Sequence, residues 1–493
     1  MTPALLRLFE MRRLVPLTAI WGLAGCAQIF GLDETSSDDA GEAVSLSLER
    51  VSVGATVVKA PLDVSMETAT FLTDDGAGGY LRVNGTVSAP GTFTAAELTG
   101  APPVQFTLPG TTGDRIWATG APAQRGTFTV FEHPGSEAPL PGSMVAVNAM
   151  LPTPNAAGDS FRVEIVGAWM RGAITPPATT GGTVITDTID YASFTPMVGN
   201  APARFTNADV ALVLRYQASA LIGVLQQQLD QTAGTDMISG TMTAVSTTDS
   251  MLEATIDPPA LNTRYSAVRP SLMTALAQSY FVRAAPGWSV GQPQGISLVQ
   301  GSLAATATSI AAGFGNPFTS LGWTSIVEYT TSQSRTYMFD MTHTVTLTAT
   351  MQTLAEVGSE PLTLDLPAGL PITISIDATP LTVDGMSVQL DLSKPVVVDA
   401  TLDRPQSSLY VARLVELDPS SATVTKTLVA EMVVTGTPTF AFPPELFQPG
   451  HTYYVTVVSA AGGFTGAATG DLQTVSFPYT SGTLDSGVFT VTP

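Results

Sequence analysis

The fold class this sequence predicts is all-β, built as tandem β-sandwich domains, and three observations predict it. Apolar residues alternate with serine, threonine or charged residues in many short runs, the period-2 pattern of strands buried on one face. Glycine- and proline-rich turn signals separate these runs at roughly the 8–12-residue spacing of sandwiches. Charged residues make up only 12% of the chain, about half the usual share, and threonine, serine, alanine and valine take their place. At 493 residues the chain has room for about three domains of 100–200 residues. A single cysteine, Cys26, allows no intramolecular disulfide, so burial alone must hold the cores together.

Residues 1–25 read as a signal peptide. Met11-Arg12-Arg13 supplies a positive cluster, Leu14 to Gly22 a short apolar run containing Leu17, Ile20 and Trp21, and small residues follow. The run is well short of the roughly 20 residues that span a hydrocarbon core as a helix. Glu10 sits oddly in the charged end of a signal, and a start at Met11 instead of Met1 makes the signal compact. Leu23-Ala24-Gly25-Cys26 resembles the lipobox of bacterial lipoproteins. That resemblance implies acylation of Cys26, which becomes the first mature residue and anchors the chain to a membrane. Alanine rather than aspartate at position 27 implies, by the same resemblance, sorting to the outer membrane, with the body facing the periplasm or the cell surface. The alternative is an ordinary cleaved signal, in which Cys26 is an incidental thiol.

Residues 26–43 form the next segment. Asp33 to Glu42 is acidic and almost free of apolar side chains, so it reads as a flexible tether that contributes to no core. A calcium loop is the sharper reading, but the glycine and terminal-glutamate spacing of such loops is missing.

A β-rich domain is expected over 44–200. Val44, Leu46 and Leu48 alternate with polar residues, and Tyr80 to Val83, Asn84-Gly85 and Thr86 to Ser88 read as a tight hairpin on a type I′ turn. Thr127 to Phe131, Met144 to Val147, Phe161 to Val166 and Val184 to Ile189 are further strands. A second β-rich domain spans 201–369. Val210, Leu212 and Leu214 alternate, whereas Leu221, Val224, Leu225 and Leu229 fall at helical spacing and predict one short helix. Pro258-Pro259 reads as chain punctuation. Met341, His343, Val345, Leu347, Ala349 and Met351 share one face of the clearest strand, with threonines at the even positions between them.

The last domain, 370–493, opens with alternation at Ile372, Ile374 and Ile376 and at Val388, Leu390 and Leu392. Leu446-Phe447-Gln448-Pro449-Gly450-His451-Thr452-Tyr453-Tyr454-Val455-Thr456-Val457 resembles the sixth strand of fibronectin type III domains. The resemblance implies an immunoglobulin-like sandwich with Tyr453 as the corner tyrosine, its ring packed and its hydroxyl bonded to backbone. The family's second-strand tryptophan is absent, and valines 396–398 stand near its place.

No convincing reactive constellation emerges, so the reading assigns no catalytic residue, cofactor or metal. Gly287-Trp288-Ser289-Val290-Gly291 matches a hydrolase nucleophile elbow, with Asp340 and His343 or His451 following in triad order. The elbow's chemistry needs a strand, a sharp turn and then a helix, and alternating Ile296 to Val299 follows in place of a helix. His133, His343 and His451 are too scattered for a zinc site with closely spaced ligands. His343, on an apolar strand face, reads as a satisfied core imidazole. Gly76 to Gly79 lacks the lysine and helix of a phosphate cradle. Paired carboxylates of a glycosidase are set by spatial separation, which sequence does not give. Trp117, Trp169, Trp288 and Trp323 are either core residues or platforms for sugars.

The net charge is −21, and removing three arginines and one glutamate with residues 1–25 takes it to −23. Lys59, Lys394 and Lys426 are the only lysines and form no patch, so nucleic acid is excluded as a partner. The reading is a lipid-anchored envelope protein with a binding or structural role toward an envelope protein or polysaccharide. The alternatives are a secreted or surface hydrolase of extracellular polymers and an outer-membrane barrel; the acidic tether and the lack of aromatic bands at strand ends weigh against a barrel.

Overall fold

Alternation places Val44, Leu46 and Leu48 under one sheet and Val104 and Phe106 under another, and Phe71 and Phe93 close the space between the two. The same device recurs along the chain. The computed structural model describes residues 44–492 except 54–56, 66, 77–78, 97, 99–101, 108–112, 119–123, 132–141, 167–168, 176–179, 197–208, 230–233, 287–294, 421–422 and 464–474. The chain is all-β, a succession of layered sheets, and residues from Ala43 onward form one compact unit. Residues 1–43, with the signal segment, Cys26 and the acidic tether, lie outside the described residues.

Three successive modules share one pairing plan, in place of the two domains expected over 44–200 and 201–369, because Ser160–Val166 pairs with Val210–Gln217 across that boundary. In the first, the strands in order are Val44–Val53, Ala69–Asp74, Tyr80–Asn84, Thr92–Ala95, Val104–Phe106, Asp114–Trp117 and Gln124–Phe131. The first strand pairs antiparallel with the fourth and parallel with the seventh. The second pairs with the third and fifth, and the fifth with the sixth. The second module repeats this with Met144–Met150, Ser160–Val166, Met170–Ile174, Val184–Asp190, Val210–Gln217, Ala220–Gln228 and Thr235–Thr241. The third repeats it with Ser250–Thr255, Ala277–Ala285, Ile296–Leu303, Ser309–Phe314, Thr324–Met338, Thr344–Glu356 and Leu362–Thr363.

The fourth module is an immunoglobulin-like sandwich. Pro371–Ile376, Val396–Leu402 and Thr439–Phe442 form one layer; Leu409–Asp418, Thr425–Thr435, Thr452–Ala461 and Tyr479–Asp485 form the other. Ile374, Val396, Val398, Phe440, Leu414 and Val455 fill the space between. Val396 and Val398 thus stand in the core between the two layers. Tyr453 is buried, its ring in contact with Phe447 and Phe489, and its hydroxyl accepts the Gln448 N–H at 3.0 Å. The corner geometry is present.

Three local expectations change. Asn84-Gly85 does not turn a hairpin: Tyr80–Asn84 pairs with Ala69–Asp74, while the strand Thr86–Ala89 pairs with Thr92–Ala95 in the other layer. Gly85 marks the crossing, where its N–H reaches the Ala69 carbonyl at 2.8 Å and a Cβ would stand 2.9 Å from the Phe71 ring. Leu221 to Leu229 is no helix but the strand Ala220–Gln228 and the residue after it. Leu221 and Val224 pack toward one core and Leu225 and Leu229 toward another, so burial on both faces, with a register shift after Arg215, imitates a helical spacing. The α-helix among the described residues is Pro258–Ser266 instead. Pro258-Pro259 starts it, since a first turn has no use for those N–H groups, and Asp257 caps it by accepting the Ala260 N–H at 3.1 Å.

Candidate functional site

Of the residues singled out in the sequence, Cys26, Ser289, Trp288 and His133 lie outside the described residues. Trp117, Trp169 and Trp323 are all buried in cores, so they offer no platform for sugars. His343 is not on an apolar strand face. Its strand starts at Thr344, and Met341 and His343 belong to the preceding turn, where Met341 is 94% exposed. Asp340 organises that turn: its carboxylate accepts the Thr342 and His343 N–H groups at 2.7 and 2.8 Å and meets His343 Nδ1 at 2.7 Å. These bonds, the His343 side chain first, hold the Asp340 carboxyl below its ordinary range. His451 pairs with Glu416 instead, Nδ1 to Oε1 at 2.6 Å. Asp340 and His343 thus come together, and His451 has a separate carboxylate partner. Among the described residues no group of three or more His, Cys, Asp or Glu could hold a metal.

The arrangement with most chemical character lies elsewhere, in the second module. Register places Arg162 and Glu164 on one face of Ser160–Val166, with Arg171 directly opposite Glu164 and Ala173 opposite Arg162. Thr195 sits beside Arg171, and Tyr216 beside Ser160, on the same face. The other face, with Phe161, Val163 and Ile165, belongs to the module's core. Glu164 is buried, and its Oε1 lies 2.8 Å from Arg162 Nε and accepts Arg171 Nε and Nη2 at 3.0 Å each. Arg162 Nη2 donates to the Tyr216 hydroxyl at 2.5 Å with the guanidinium 4.4 Å from the ring centre. The Tyr216 hydroxyl in turn donates a hydrogen bond to the Ser297 carbonyl at 3.0 Å, and burial pushes its phenol above the ordinary value.

This face floors a cleft of about 580 Å³, lined also by Ser160, Ser193, Ser219, Ser297 and Gln300. At its lip, Ala218 and Ser219 both adopt positive φ (46° and 70°) in a two-residue turn between Val210–Gln217 and Ala220–Gln228, the geometry of a type I′ hairpin. The Ser219 carbonyl accepts the Gln300 N–H at 3.2 Å, tying the turn to the third module. Across the strand from Ser297 lies Arg283, ion-paired with Glu328 at 2.9 Å. Burial pushes the Arg283 pKa down while Glu328 opposes the shift; Arg171 and Arg162 add a smaller push downward. Two arginines therefore face the cleft against one carboxylate, a local positive excess in a chain of net charge −21.

Sequence reading missed this cleft. The available signal was Arg162-x-Glu164 on an expected strand with Arg171 one hairpin later, conspicuous only because charge is so sparse here.

No family model matches the chain, and a search of curated proteins finds no match. Among solved structures, 92% of the chain aligns with Escherichia coli alpha-2-macroglobulin activated by porcine elastase, at 8% identity and a TM-score of 0.15, over 44% of that chain. The N-terminal eight Ig domains of Down Syndrome Cell Adhesion Molecule isoform 1.30.30 align with 92% of it at 9% identity and a TM-score of 0.09, over 62% of that chain. The chain spans less than two thirds of the length of either.

Proposed function

We propose that this chain is a lipid-anchored cell-envelope protein of the bacterial outer membrane, with a non-catalytic binding or structural role toward an envelope protein or polysaccharide. The observation that carries the proposal is Leu23-Ala24-Gly25-Cys26 behind Met11-Arg12-Arg13 and its short apolar run. Each buried methylene of an acyl chain contributes about 0.8 kcal/mol, and one chain anchors only marginally, so the proposal requires more than one chain on Cys26. The acidic segment from Asp33 to Glu42 then separates the anchor from a folded body whose first strand starts at Val44. No described helix is long and apolar enough to cross a membrane, and the proposal asks for none.

Metabolic labelling with palmitate, followed by envelope fractionation of wild type and Cys26→Ala, tests the anchor. Label and outer-membrane retention are expected for wild type, and loss of both for the variant. An unlabelled wild-type chain, or a mature N-terminus other than Cys26, refutes it.

A further inference from the structure

We propose that the Arg162–Arg171 cleft is a binding site for a carboxylate-bearing saccharide of the uronate class. Both guanidiniums are pinned on the cleft floor by Glu164 and, for Arg162, by Tyr216, yet the Nη1 group of each makes no hydrogen bond with any described residue. Two fixed donors on neighbouring strands suit the two oxygens of a planar carboxylate. Glu164 cancels one of the two positive charges, and a single negative charge on the ligand cancels the other.

The polar part of the remaining lining is suited to hydroxyl groups, alongside Gly158, Phe161, Ala173 and Ala218. Ser160, Ser193, Thr195, Ser219, Ser297 and Gln300 surround the floor. Ser297 is 5% exposed, its Oγ has no hydrogen-bond partner among the described residues, and it borders the cleft. A buried hydroxyl left unpaired is destabilising, and a sugar hydroxyl reaching it supplies the missing partner. Ala173, exposed and directly opposite Arg162, leaves the approach to the guanidinium open. The cleft's volume of about 580 Å³ falls within the range of small-molecule sites. The inference stands on this geometry and is independent of the anchor at Cys26.

Calorimetric titration of the full-length protein with D-glucuronate and a glucuronate-containing oligosaccharide tests it, with glucose, acetate and inorganic phosphate as comparison ligands. Glucuronate is expected to bind at least tenfold more tightly than glucose or acetate. Arg171→Ala, which leaves Arg162 on Glu164, is expected to weaken binding at least tenfold. Ala173→Glu places a carboxylate in the approach from an exposed position and is expected to abolish binding with an unchanged melting temperature. Absence of glucuronate binding, equal binding of acetate or glucose, tighter binding of phosphate, or unaltered affinity in a folded Ala173→Glu variant overturns the proposal. Membrane retention is unaffected by either variant, so failure here and failure of the anchor are read separately.

Discussion

Asp159→Ala is the most informative single perturbation of the fold. Arg215 is 1% exposed, and all of its polar nitrogens are engaged. Nε and Nη2 donate to Asp159 Oδ2 at 3.0 and 2.6 Å, Nη1 to the Thr153 carbonyl at 2.8 Å, and Nη2 also to the Pro154 carbonyl at 2.9 Å. Asp159 further accepts the Ala156 N–H at 2.9 Å and the Gln217 amide at 3.2 Å. Truncating the aspartate leaves a buried guanidinium with carbonyl partners but no counter-charge, which costs about 3–5 kcal/mol. Local opening of the second module then becomes roughly 10²- to 5 × 10³-fold more frequent. Hydrogen exchange read on peptides from 144–166 and 210–228 measures this within a chain of several modules, where one global unfolding energy is ill-defined. The double variant Asp159→Leu/Arg215→Met removes both charges and is expected to recover most of the loss. Exchange less than tenfold faster in Asp159→Ala, or a double variant as damaged as the single one, refutes the reasoning.

Tyr453→Phe keeps the buried ring but strips the acceptor from the Gln448 N–H, and costs about 1 kcal/mol in chemical denaturation of the fourth module; no change shows the corner bond to be idle. Gly85→Ala drives a methyl to 2.9 Å from Phe71 and 3.2 Å from the Ala69 carbonyl, lowering stability by roughly 1–3 kcal/mol in thermal melts, and Phe71→Leu in the same chain is expected to relieve part of it. Burial and then Asp485 push the Tyr454 phenol up to about 12, with Arg413 opposing. The folded state therefore prefers the neutral phenol: its contribution is complete below the ordinary value near 10 and is lost as pH rises through about 12. Phenolate absorbance followed with circular dichroism is expected to show alkaline unfolding in that window, shifted upward in Tyr454→Phe; stability constant to pH 12 contradicts it.

Strand positions were legible because alternation is a direct imprint of one buried face. Val44–Val53, Met144–Met150, Ser160–Val166 and Val184–Asp190 all stand where alternation places them. What misled was burial on both faces. Val210–Gln217 and Ala220–Gln228 are wedged between two cores, and the residues that fill both mimic the spacing of a helix. Asn84-Gly85 failed for a different reason. The dipeptide favours a turn, but the space beside Phe71 and the Ala69 carbonyl needs a residue without a Cβ, and the chain uses the glycine to change layers. Tyr453 was legible because a corner tyrosine is a local motif. The Arg162–Arg171 cleft was not, since it depends on which residues register sets side by side and on Ser297, more than 100 positions away in sequence.

The parallel partnership of first and seventh strands has a mechanical consequence. Tension applied across a module's own ends drags these neighbours past each other lengthwise, so their bonds share the load together rather than opening one by one. The first module sets six residue pairs in this clamp and the second seven, whereas the third has two, Ala254 with Leu362 and Thr255 with Thr363. Of the three clamps the third is the shortest, and the long strand Thr344–Glu356 of that module is held instead by lateral pairing with Tyr479–Asp485 of the fourth.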